Sequence, residues 1–222
     1  MRLWTRTIGA FMANTMSLNE KQQSIVTIAA FTASGDLDRL KKSLIEGLDA
    51  GLTVNEIKEI LIQLYAYTGF PRSLNAINTF MAVLETRRSQ GINDAVGQEP
   101  NPLPAHKSKS ELGTEIQIAL LGSPETSPAL TFVPAMDAFV KEHLFADIWG
   151  RDNLDFHSRE LVTIAALANL GGVNLQLRRH LNVGLNTGLT PALLTDVITV
   201  IASKVGKAAA ENLREMLAES MK

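Results

Sequence analysis

The sequence predicts an all-α protein, and three observations carry that reading. Apolar residues recur at helical spacing through most of the 222 residues, and no alternating strand pattern of useful length interrupts them. Helix-start and helix-stop residues punctuate those runs at the expected places. The chain also repeats itself: VTIAA stands at 26–30 and again at 162–166, and GLDAGLT at 47–53 answers GLNTGLT at 184–190. Two copies are too few for a solenoid, so a pseudo-symmetric bundle with the copies packed face to face is expected.

The elements follow in order. Residues 1–17, MRLWTRTIGAFMANTMS, carry a weak echo of an export signal, but Arg6 and Asn14 break the apolar stretch. The expectation is an N-terminal arm on a cytoplasmic protein, with an atypical export segment as the alternative. Residues 18–92 form the first copy. Ser17 and Glu20 have capping-box spacing before QQSIVTIAAFTA, which stops near Gly35. Asp36 is placed to cap LDRLKKSLIEGLDA, and Gly51 to end it. Thr53 and Glu56 form a second capping box that opens VNEIKEILIQLYAYT. Gly69 breaks this helix, and Pro71 suits the first turn of the next, RSLNAINTFMAVLETRRS. Residues 93–128 read as a linker rich in Pro, Gly and charge, with a short helix, ELGTEIQIALLG, inside it. Residues 129–222 form the second copy, where FHSRELVTIAALANL, LQLRRHLNVGLNT and PALLTDVITVIASK take the corresponding places.

Composition excludes several functions. The chain has no cysteine, so a thiol nucleophile, a redox CxxC pair and a cysteine zinc site are all impossible. A net charge of −2 without a basic stripe gives no basis for nucleic-acid binding. No segment reaches the apolar length of a membrane span. No HxxxH or HExxH pattern occurs, and there is no GxSxG, GxGxxG or P-loop, so no metal and no cofactor are expected.

The polar residues that remain define candidates. Glu160 sits near the start of a helix that is otherwise almost wholly apolar, where burial would raise its pKa and suit it to proton transfer. It equally fits a helix N-terminal carboxylate paired with Arg159. Histidine is the side chain whose charge ordinarily changes near neutral pH, so His180, on the next helix, suits proton delivery. Glu59, Gln63 and Tyr67 follow i, i+4, i+8 spacing on an apolar helix and need partners, either around a cavity with Glu160 and His180 or in ion pairs. Arg72, Arg159, Arg178 and Arg179 are alternative carboxylate binders.

The segments FADIWGRDNLD, RELVTIAALANLGG and LRRHLNVGLNTGLT in the second copy, with IVTIAAF, GLDAGLT and EIKEILIQLYAYTGFPRSLNAI in the first, resemble the carboxymuconolactone decarboxylase-like family. The chain looks like two fused copies of that domain. The resemblance implies a helical, cofactor-free carboxy-lyase for an acidic or lactone substrate such as 4-carboxymuconolactone. In that role Glu160, His180, Tyr67 and Glu59 are the catalytic candidates, and Arg72, Arg159, Phe70 and Gln63 the substrate-binding ones. It also implies a homo-oligomer, a trimer of fused chains. The thiol peroxidase branch of the family is excluded by the missing cysteines.

Each copy keeps only part of the polar set. Arg159-Glu160 correspond to Gln23-Ser24, and His180 to Ser43, whereas Tyr67 corresponds to Lys204 and the GFPR turn at 69–72 to GKAA at 206–209. Complementary losses of this kind point to one composite site assembled from both copies. A non-catalytic helical binder or assembly protein is the alternative that the same losses support.

Overall fold

The computed structural model describes residues 17–123 and 127–222. Apart from Ser17, the expected arm lies outside the described residues. Among the described residues every regular element is helical. The first copy supplies α1 (Glu20–Ser34), α2 (Leu37–Asp49) and α3 (Val54–Ser89). Then come α4 (Lys109–Leu121), two short helices α5 (Pro128–Phe132) and α6 (Pro134–Ala138), and α7 (Phe139–Trp149), which is wound as a π-helix. The second copy supplies α8 (Phe156–Leu170), α9 (Asn174–Asn186), α10 (Pro191–Val200), extended by a π turn over Ile201–Val205, and α11 (Lys207–Ser220).

The start of α1 differs from the sequence reading. Its N-cap is Asn19, whose side chain accepts from Gln22 N–H at 2.9 Å, while the Gln22 side chain accepts from Asn19 N–H at 3.0 Å. The capping box is therefore Asn19–Gln22 and not Ser17–Glu20. Leu18 explains the shift: its side chain is buried and its N–H donates to the Asp196 carboxylate at 2.9 Å, holding that residue outside the helix. The other expected caps stand where the sequence puts them. Asp36 caps α2, Thr53 and Glu56 make the box that opens α3, and Gly51 takes φ +91° just beyond α2.

Gly69 divides α3. Its φ of +79° with ψ of 159° is accessible in practice only to glycine. Residues 54–68 run as one helix, and Pro71 sits in the first turn of the other, where its missing N–H costs nothing.

Helices α1 and α8, the equivalent members of the two copies, pack against each other along their length at the centre. Both are apolar on nearly every side, and residues 24–33 and 159–168 are all buried. A helix that is hydrophobic all round belongs inside a core. The close approach of neighbouring helices is also repeated. A Cβ on Gly47 would lie 3.1 Å from Ile28 and 3.0 Å from Leu52, and one on Gly184 would lie 3.3 Å from Ile164 and 2.8 Å from Leu189. These are the same contacts made once in each copy.

The segment between the copies is a strap rather than a loose tether. Ala95 and Val96 carbonyls accept from Val54 and Asn55 N–H at 2.9 Å, satisfying donors that the first turn of α3 leaves open. Arg87 grips Asp94 with three hydrogen bonds of 2.8–3.0 Å. Beyond the strap, α4 and α7 pack together, and a Cβ on Gly113 would fall 1.8 Å from the Lys141 carbonyl oxygen. Only glycine lets these helices approach so closely. Ile116, Leu120, Ile148, Trp149 and Val183 form a second, smaller core that fixes this pair over α9.

Candidate active site

Glu160 and His180 meet where α8 passes α9. The Nδ1 of His180 lies 3.0 and 3.2 Å from the two carboxylate oxygens of Glu160. Glu160 is fully buried, and His180 is mostly buried. An ionised carboxylate can only accept, so Nδ1 donates and Nε2 is the ring nitrogen left for chemistry. Burial pushes the Glu160 carboxyl above its ordinary range, and His180 opposes that shift. The helix that carries Glu160 is wrapped in apolar side chains, so its carboxylate has little besides this imidazole to stabilise its charge.

Tyr67 arrives from the other copy. Its ring stands edge-on to His180, with centroids 5.6 Å apart. Its hydroxyl accepts from Trp149 Nε1 at 3.3 Å. Burial first, and the nearby Glu160 carboxylate second, push the phenol above its ordinary pKa, so it remains a proton-bearing donor at neutral pH. Trp149 also lies nearly parallel to the His180 ring, at 6.4 Å and 23°. Glu160, His180, Tyr67 and Trp149 border one cavity of about 330 Å³. That volume lies at the small end of the ligand-site range of roughly 300–1,000 Å³. Arg179, Gln176, Gln117 and Ser127 supply further polar lining, and the rest is mostly aliphatic.

The structure brings together only part of the set the sequence proposed. Glu160, His180 and Tyr67 converge, and they do so within one chain. Glu59, Gln63 and Arg159 form a different, fully buried cluster that does not border the cavity. Arg159 spends its guanidinium on the Glu59 carboxylate (2.9 Å), the Gln63 side chain (3.0 Å) and the Leu154 and Arg151 carbonyls (3.1 and 2.6 Å). Arg151 makes a second ion pair with Glu59. Arg159 thus ties α3 to α8 and is not presented to a substrate carboxylate. Arg72 is exposed and does not border this cavity, while Phe70 is 62% exposed and stacks on Tyr65 at 4.5 Å. Of the four arginines considered, Arg179 borders the cavity.

Two cavity residues carry no motif that singles them out in the sequence. Trp149 belongs to the FADIWG segment quoted above, but only its meeting with Tyr67 and His180 gives it a place in the site. Gln117 lies between the repeats, where self-similarity offers no guide. At the mirrored position in the first copy Ser24 and Ser43 are buried and Lys204 is exposed. None of these three side chains is a carboxylate or an imidazole, and Lys204 instead lies 3.8 Å from the Glu46 carboxylate. Among the described residues, no group of His, Asp and Glu side chains is arranged to hold a metal ion, and no helix is long and apolar enough to cross a membrane.

A helical protein of two equivalent copies, with one carboxylate-backed imidazole facing a largely apolar cavity, is a defined class. The carboxymuconolactone decarboxylase family model matches residues 1–80 and 134–219, one match for each copy. The chain belongs to that family. Over 114 residues, half of this chain, it is 30% identical to the 4-carboxymuconolactone decarboxylase of Acinetobacter baylyi, covering 84% of that protein. Half of this chain covering most of that relative is what a doubled sequence requires. Over 66 residues, 30% of this chain, it is 29% identical to an uncharacterized protein of Methanocaldococcus jannaschii, covering 62% of it.

Proposed function

We propose that the chain is a cofactor-free decarboxylase of a lactone acid, with 4-carboxymuconolactone as the reference substrate. The observation that carries this reading is the Glu160–His180 pair opening, beside Tyr67, on a largely apolar cavity. The family membership and the Acinetobacter relative support it.

Decarboxylation breaks a carbon–carbon bond and leaves its electron pair on the substrate as CO2 departs. In a conjugated lactone that pair moves into the ring carbonyl and forms a dienolate. The site must then stabilise the oxyanion and deliver one proton to carbon. The Tyr67 hydroxyl is placed to donate to the oxyanion. His180 delivers the proton from Nε2, and ionised Glu160 stabilises the imidazolium and fixes its ring. Arg179 holds the substrate carboxylate, a role its guanidinium suits and its place on the cavity wall allows.

The test is CO2 release from 4-carboxymuconolactone. Glu160→Gln and His180→Ala should each lower kcat by about 100-fold or more, the usual yield of a positioned general acid or base. Full turnover by Glu160→Gln would remove the centre of the proposal.

A further inference from the structure

Helix α4 lies in the stretch between the two family matches, yet it forms part of the cavity wall. It contributes Gln117, Leu120 and Leu121. Gln117 is 2% exposed, and among the described residues no protein group hydrogen-bonds its side chain. The residue borders the cavity. A buried amide without a partner is uncommon, because leaving it unsatisfied forfeits hydrogen bonds it would make in water. Here a partner is available from what fills the cavity.

We propose that Gln117 is a substrate-recognition residue that reads a neutral carbonyl oxygen on a ligand with an apolar body. The primary amide offers two N–H donors and carries no charge, which suits the carbonyl of a lactone better than a carboxylate. The surroundings set the remainder of the ligand. Leu120, Leu130, Val140, Leu144, Phe145 and Leu167 all face the same cavity. A ligand without an apolar body would leave these side chains without contacts. The substrate class is therefore a lactone acid that carries an aliphatic or aryl substituent on its ring. This rests on the cavity being the working site proposed above. It assigns substrate choice to the segment between the copies and the chemistry to the copies themselves.

Calorimetric titration of the full chain with γ-nonalactone, γ-butyrolactone and 2-pentyltetrahydrofuran tests it. The last has the ring and tail but no carbonyl. Wild type should bind γ-nonalactone at least tenfold more tightly than γ-butyrolactone, since each buried methylene is worth about a fourfold gain. Gln117→Leu and the closer-volume Gln117→Met should weaken γ-nonalactone by about five- to tenfold, the range for one neutral hydrogen bond. Both should leave 2-pentyltetrahydrofuran within about twofold of wild type. Equal effects on both ligands, no effect on either, no gain from the tail, or no lactone binding by wild type would each overturn the assignment. Lactone binding and CO2 release are separate readouts on the same wild-type protein, so failure of the recognition role and failure of the proposed chemistry are read separately.

Discussion

Two adjacent residues, Arg159 and Glu160, show what a side chain's address on a helix decides. Successive residues point about 100° apart around the axis. Both are fully buried, but Glu160 turns toward His180 and the cavity while Arg159 turns toward Glu59 and Gln63. The sequence shows the pair and the apolar run behind it, which is enough to mark Glu160 as a carboxylate under desolvation. It does not show which of the two faces the cavity, because that depends on where α3 crosses. The same geometry separates Glu59 from Tyr67. Eight residues span about 12 Å and leave the two side chains roughly 80° apart, so a shared stripe does not guarantee a shared site.

Because its pKa is raised in the folded protein, Glu160 has a defined pH signature. Protonated, it fits its buried position best. Its contribution to stability is fully present below the ordinary glutamate range and is lost as pH rises through the raised folded value. Thermal unfolding of wild type and Glu160→Gln should therefore agree most closely at acid pH. Wild type should fall behind the variant as pH rises toward neutrality. A difference that stayed constant with pH would mean the carboxyl is not desolvated. In turnover the sign is opposite, because the proposed chemistry uses the ionised carboxylate: kcat/KM should fall with acid on a limb above the ordinary carboxylate range.

Elements are held by features of unequal visibility. The capping boxes, the Gly51 stop and the Gly69–Pro71 break are local turn chemistry and are legible from a few adjacent residues. The start of α1 lies two residues beyond the Ser17–Glu20 pattern because a tertiary contact, Leu18 N–H to Asp196, decides it. Reading the copies against each other would have corrected this, since Asn19 corresponds to Asp155, which caps α8. Two substitutions separate backbone from network effects. Gly69→Ala meets no close atom except Pro71 Cδ at 3.6 Å, so its cost is conformational strain, about 1–3 kcal/mol in denaturant unfolding. Arg159→Met leaves the buried Glu59 carboxylate with Arg151 alone and should cost about 3 kcal/mol or more. Arg72→Ala, on the exposed side of the break, should stay within about 0.5 kcal/mol of wild type. If Arg159→Met were as mild as Arg72→Ala, the ion-pair cluster would not be the tie between α3 and α8.

At the scale of the molecule, duplication has made the copies dependent on each other. Tyr67 comes from one and Glu160 and His180 from the other, and the central contact of the core is α1 against α8. A half expressed alone would expose the apolar face that its partner covers, and it would hold an incomplete site. The sequence indicates this through its complementary losses, but the distances that join the halves are visible only in three dimensions. Breaking the chain between Ala105 and His106, both exposed and clear of the strap's contacts with α3, separates the halves without removing a core residue. Either fragment alone should show little cooperative unfolding and no turnover. Mixed in equal amounts, they should regain the helical far-ultraviolet spectrum, one thermal transition and CO2 release. Regain should depend on fragment concentration, because the join is then bimolecular. A second copy that folds and turns over substrate alone would show that Tyr67 is dispensable and that the site belongs to one repeat.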